Sequence, residues 1–119
     1  VEHCHKKNLI FDFHSCGKNE ALVPAMLECG MDIWGGQSMN DKRMLVEAYG
    51  DQILIGIHCP YNQAVPAPEN DEELYRKVEG FLAPYAENIK EKQFFLMDLK
   101  PDNRVREAFY KCSMKLLQK

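Results

Sequence analysis

The sequence predicts an α/β protein of four strand–helix units, forming one domain over residues 1–119. Three observations carry that expectation. Short apolar runs near residues 8–13, 31–34, 52–57 and 93–97 alternate with stretches whose apolar residues recur at helical spacing. The run Ile53-Leu54-Ile55-Gly56-Ile57 is nearly continuous and rich in β-branched residues, as in a parallel strand buried on both faces. Two of the runs end in a histidine and a cysteine, at the strand end where parallel sheets place their sites. Four such units make either a complete small open sheet or half of an eight-stranded barrel, whose usual length is about 250 residues.

The first unit organises the rest. In a strand over residues 8–16, alternation sets Ile10, Asp12, His14 and Cys16 on one side and Leu9, Phe11 and Phe13 on the other. The aromatic side is expected under helices. The opposite side ends in an imidazole and a thiol. Ahead of it, His3, Cys4 and His5 form either a frayed terminus or the end of a helix preceding the strand. Gly17-Lys18-Asn19 reads as a turn, with Asn19 as N-cap of a helix over residues 20–29 that Gly30 stops. Pro24 bends its first turn, and Cys29 is expected as a small buried residue.

The second unit opens with residues 31–34, where Trp34 is core or pocket wall, followed by Gly35 and Gly36. Gln37 falls just past the strand end, on the side of His14 and Cys16. Ser38 or Asn40 is expected to cap a helix over residues 41–49. The third strand ends in His58-Cys59-Pro60. After a loop over residues 61–68, Asn70 caps a helix over 71–82 with Leu74, Val78 and Phe81 or Leu82 inward. A less regular stretch broken by Pro84 leads to the fourth strand, residues 93–97. Pro101-Asp102 then opens a helix whose stripe is Val105, Ala108, Phe109, Cys112 and Leu116.

Bulk properties remove several function classes. A net charge of −3 provides no basic field for nucleic acid or for a membrane surface. No apolar run approaches the roughly 18–20 residues of a membrane span. The first seven residues do not read as a signal peptide, and the absence of a starting Met is that of a processed or partial chain. Five scattered cysteines without CxxC spacing argue against a disulfide scaffold and for a reducing compartment, so the expected location is cytoplasmic.

The chemistry-bearing residues are His14 with Cys16 and His58 with Cys59, at the ends of the first and third strands. A His-x-Cys pair on one strand face can supply two of the nitrogen and sulfur ligands that Zn²⁺ prefers, leaving room for a third ligand and an open position. Such a metal holds a substrate thiol as a thiolate, a nucleophile able to accept a methyl group. Two other readings stand beside it: satisfied interior residues, or a metal-free Cys16 nucleophile with His14 or His58 as base.

The stretches Phe11-Asp12-Phe13-His14-Ser15-Cys16-Gly17-Lys18, Glu28-Cys29-Gly30-Met31-Asp32-Ile33-Trp34, Tyr49-Gly50-Asp51 and Gly56-Ile57-His58-Cys59-Pro60 together resemble the uroporphyrinogen decarboxylase superfamily. The likeness is nearest to its zinc-dependent corrinoid:thiol methyltransferases. The resemblance implies the C-terminal half of a (β/α)8 TIM-type barrel, with these strands as the fifth to the eighth. It implies zinc on His14 and Cys16, a corrinoid or corrinoid protein as methyl partner, and a small thiol as acceptor. The family's third ligand, a Cys at the end of the last strand, has no counterpart in Phe95-Leu96-Met97-Asp98-Leu99-Lys100. Cys59 is the expected substitute, with Asp98 as the alternative; His58 and Gln37 would line the pocket and Lys18 would sit beside a substrate anion. The alternatives are a metal-free tetrapyrrole decarboxylase and an inert half-barrel. A half-barrel is expected to pair with a second copy or with its missing N-terminal half.

Overall fold

A computed structural model describes residues 1–62, 64–91, 93–97 and 103–118 of the chain. Among them, four strands form one all-parallel sheet in the order β1-β2-β3-β4: β1 (Asp12–Ser15), β2 (Ile33–Gly36), β3 (Leu54–His58) and β4 (Phe94–Met97). Each strand pairs with its successor, so every crossover steps in the same direction. Right-handed crossovers then put all the intervening helices on one face. An open doubly wound sheet reverses its strand order and covers both faces; this sheet does neither.

The register defines the two faces. Phe13, Trp34, Ile55 and Phe94 form one row across the sheet, and Ile57 beside Leu96 continues that face. Trp34, Ile55 and Ile57 are buried there with Val23, Met26, Leu45, Val46, Leu74, Val78 and Leu82 in one core. The opposite face carries Asp12, Ile33 and Leu54, then His14, Gly35, Gly56 and Phe95. Its side chains are exposed or half-buried. An open, partly apolar sheet face lies opposite the helices.

The helices follow from their caps and stripes. Helix α3 (Lys42–Tyr49) is capped by Asp41, which accepts the Met44 N–H at 3.1 Å. The expected caps Ser38 and Asn40 do not serve; Asn40 is instead buried between the loops that follow β1 and β2. Helix α4 (Asp71–Leu82) begins at Asn70, whose side chain accepts the Glu73 N–H at 3.0 Å, and buries Leu74, Val78 and Leu82. Helix α6 (Asn103–Leu117) buries Val105, Ala108, Phe109 and Cys112 as its stripe requires. Burial pushes the Cys112 thiol above its ordinary range, with the nearby Glu79 adding to the shift.

Three local expectations are corrected. The helix expected over residues 20–29 splits into a 3-10 turn (Glu20–Leu22) and α2 (Val23–Glu28), because Pro24 fits only the first turn of a helix. Cys29 is exposed, since the short α2 ends before it. The first strand begins only at Asp12. Asn8 adopts φ 58°, which interrupts extended backbone, and Leu9 and Ile10 remain 56% and 73% exposed.

The first residues form α1 (Glu2–Lys6), as one of the two sequence readings has it. His5 Nε2 lies 2.7 Å from Asp32 Oδ2, which also accepts the Phe11 N–H at 2.7 Å. The Phe11 N–H, followed by His5, holds the Asp32 carboxyl below its ordinary range. This contact lies before β2, at the N-terminal end of the sheet. His5 is thereby engaged far from the strand ends that carry His14 and Cys16. Between α4 and β4, a 3-10 turn (Ala83–Tyr85) contains Pro84 and α5 (Ala86–Lys90) buries Ile89.

Candidate functional site

Alternation within β1 sends Asp12 and His14, and Cys16 one step past the strand, to the open face. The imidazole folds back toward β2, where His14 Nδ1 donates to the Gly35 carbonyl. Only a protonated nitrogen can donate, so a neutral ring leaves the Nε2 lone pair unblocked. Nε2 faces Cys16 Sγ at 3.9 Å. Spacing alone cannot predict that contact. The Gly35 carbonyl, on the register partner of His14, holds the ring in that orientation.

The pair has the bite of two ligands of one metal ion. With Zn–N near 2.0 Å and Zn–S near 2.3 Å, tetrahedral geometry separates nitrogen and sulfur by about 3.5 Å. The observed separation is only slightly wider. The backbone carbonyl behind Nδ1 is the outer-shell partner that metal-binding histidines commonly use to fix tautomer and orientation. His14 and Cys16 are both exposed, so solvent and solutes reach them.

The loops beyond β1 and β2 hold the pair in place. Gly17 turns the chain with φ 88°, and its N–H donates to Gln37 Oε1 at 2.7 Å. Asn40 is 4% exposed and ties both loops together. Its Oδ1 accepts from the Asn19 and Glu20 N–H groups at 2.8 and 2.9 Å. Its Nδ2 donates to the Gly17 and Gln37 carbonyls at 3.1 and 2.8 Å. Gln37 is thereby a brace of the loop that follows Cys16. Lys18, expected beside a substrate anion, pairs with Glu20 at 3.5 Å.

Cys59 is corrected. It follows His58 on β3, and alternation turns it to the helix-covered face, where it is 7% exposed within the core. Among the described residues, no three His, Cys, Asp or Glu side chains group closely enough to hold a metal. Cys59 therefore does not join His14 and Cys16. Asp98, the other expected substitute, lies outside the described residues. His58 stays on the open face, paired in register with Met97.

Sequence reading missed Lys42 and Met97. Lys42 is 8% exposed, and its Nζ donates to the Gly36 carbonyl at 2.9 Å and to the Gly56 carbonyl. The ammonium also lies 5.1 Å from the centre of the Trp34 ring. It bridges β2 and β3 just where the site begins; a lysine opening a helix offers no sequence signal for such burial. Met97 reaches from β4 across the open face. A Cβ on Gly56 would meet its Sδ and, at 2.7 Å, its Cγ; one on Gly35 would stand 3.5 Å from Sδ. The two glycines are the floor on which this thioether lies.

Comparison with known proteins adds nothing to this picture: no family model, curated protein or solved structure matches the chain.

Proposed function

We propose that the chain carries half of a (β/α)8-type active site for metal-assisted thiol chemistry, with methyl transfer from a corrinoid or corrinoid protein to a small thiol as its reaction. One observation carries the reading: His14 Nε2 and Cys16 Sγ stand 3.9 Å apart at a C-terminal strand end, with Nδ1 engaged behind them. The sequential, all-parallel strand order with helices on one face supports the half-barrel. The sequence resemblance points to the methyl partner.

Zinc bound there would supply the Lewis acidity that keeps an incoming thiol ionised as a nucleophile at neutral pH. The chain's own residues supply the setting. His14 presents a nitrogen lone pair in a fixed direction, and Cys16 presents a thiol next to it. Gln37 and Asn40 hold the loop that carries Cys16. His58 lines the same face beside Met97.

Metal analysis after purification without chelator tests the proposal. The wild-type chain is expected to retain about one zinc, and His14→Ala and Cys16→Ala are each expected to lose it. A metal-free wild type, or zinc retained in both variants, overturns the assignment.

The same proposal needs a cover for the open face. Ile33, Leu54, Phe95 and Met97 are half-buried there, and β1 and β4 end the described sheet on either side. Four further parallel strands, from a second copy or from the other half of a longer chain, would satisfy both edges and bury the face. Light scattering of the isolated chain is expected to report a dimer or larger species. A monomer that unfolds cooperatively would count against the half-barrel.

A further inference from the structure

We infer that a second copy of this chain covers both free edges of the sheet, with α6 of each copy packed on α2 of the other and β4 laid beside β1. The inference rests on the half-barrel reading above and names the partner and the surfaces that complete it.

The sides of α6 differ in chemistry. Arg104 and Lys115 pair with Asp71 and Glu79 of α4 at 2.8 and 3.4 Å, so that side is turned back toward the preceding unit. Helical spacing puts Tyr110, Ser113 and Leu117 on the opposite side, where Arg106 is the charged neighbour. Tyr110 is 67% exposed and Leu117 42%. An apolar cavity of about 220 Å³ runs beneath, lined by Ile89, Phe94, Phe95, Leu96 and Ser113. It touches residues of both faces of β4, so it follows the free edge of that strand.

The other end of the sheet carries the matching surface. Every helix follows its strand in the same sense, so the side turned toward the preceding unit falls at equivalent positions. In α6 these positions are Arg104 and Lys111, each one residue ahead of a buried residue, Val105 and Cys112. The equivalents at α2 are Leu22 and Ala25, one residue ahead of buried Val23 and Met26. Where α6 sets cations against the acids of α4, α2 sets apolar groups against nothing: Ala25 is exposed, and Leu22 is 56% exposed. They lie behind β1, whose outer edge is also unpaired among the described residues.

Each end therefore supplies what the other lacks. The β4 edge needs a parallel strand backed by a helix whose rear side is apolar, and β1 with α2 is such a unit. A two-fold axis makes both seams identical and brings the strands to eight, the number at which parallel barrels close. β1 carries His14 and Cys16, so each candidate site lies at a seam, beside β4 of the other copy.

Sedimentation velocity and light scattering of the full chain test the arrangement, with Tyr110→Glu on α6 and Leu22→Arg at the start of α2. Both positions are exposed, and circular dichroism checks that each variant keeps its fold. The wild type is expected to be a closed dimer. Either variant alone is expected to self-associate more weakly by about tenfold or more, because a charge enters both apolar seams. Mixing the two variants in equal amounts is expected to bring the dimer back, since the mixed pair has one unchanged seam and one where Glu meets Arg. A dimer that survives either substitution, or two dissociated variants that stay apart on mixing, overturns this inference alone. So does polymerisation without limit, which a closed two-fold excludes. A wild-type monomer that unfolds cooperatively overturns it together with the half-barrel. Zinc content of the same samples reports separately on His14 and Cys16, which neither substitution alters.

Discussion

Trp34→Ala is expected to lower unfolding stability by about 4 kcal/mol, a large part of the 5–15 kcal/mol typical of such a domain. Trp34 is fully buried in the row that joins β1, β2 and β3. Its indole N–H donates to Ser15 Oγ at 2.9 Å, and the Lys42 ammonium rests against its ring. Truncation opens a cavity, strands the Ser15 hydroxyl and removes the aromatic face next to a buried cation. Gly36 lies directly against the ring, where a Cβ would overlap the indole, and it has no side chain to occupy the space that truncation leaves. Trp34→Phe keeps most of the packing and loses the Ser15 bond, so its cost should be about 1–2 kcal/mol. Urea unfolding of both variants checks the order. Equal, small losses would mean that the strand row is held by something other than this side chain.

Asn40→Ala is expected to cost about 3 kcal/mol and to loosen the site. The side chain makes four hydrogen bonds from a buried position, and truncation leaves two N–H groups and two carbonyls without their partner. Each such bond is worth about 1 kcal/mol net, and more where a buried group is left unsatisfied. Asn40→Asp is the sharper control. It keeps the acceptor for Asn19 and Glu20 but turns an oxygen toward the Gly17 and Gln37 carbonyls. Both variants are therefore expected to lose stability and to bind metal more weakly, because Cys16 precedes the loop they release. A cost below about 1 kcal/mol in both would show that the loops are held elsewhere.

These residues also show what was legible. The repeating strand–helix order, the Asn70 cap and the α6 stripe were readable because each rests on local periodicity or on one capping side chain. So was the alternation that places Asp12, His14 and Cys16 on one side. The split of the first helix is half legible: Pro24 marks an irregularity in the sequence, and only the structure shows that α2 starts there rather than bending. Cys59 shows the opposite case. It stands beside His58 in sequence, yet neighbours on a strand face opposite ways, and it ends in the core.

Sequence by itself determined the α/β class, the number of units and the strand end at which imidazole and thiol collect, because apolar periodicity is a property of consecutive residues. Tertiary structure alone decided which groups meet there. Strand order and register are long-range pairings, and they set His14 beside Gly35 and carry Met97 over Gly56. They also buried Lys42 on two carbonyls and Asn40 between two loops. No spacing encodes those meetings, because each joins residues on different strands or loops.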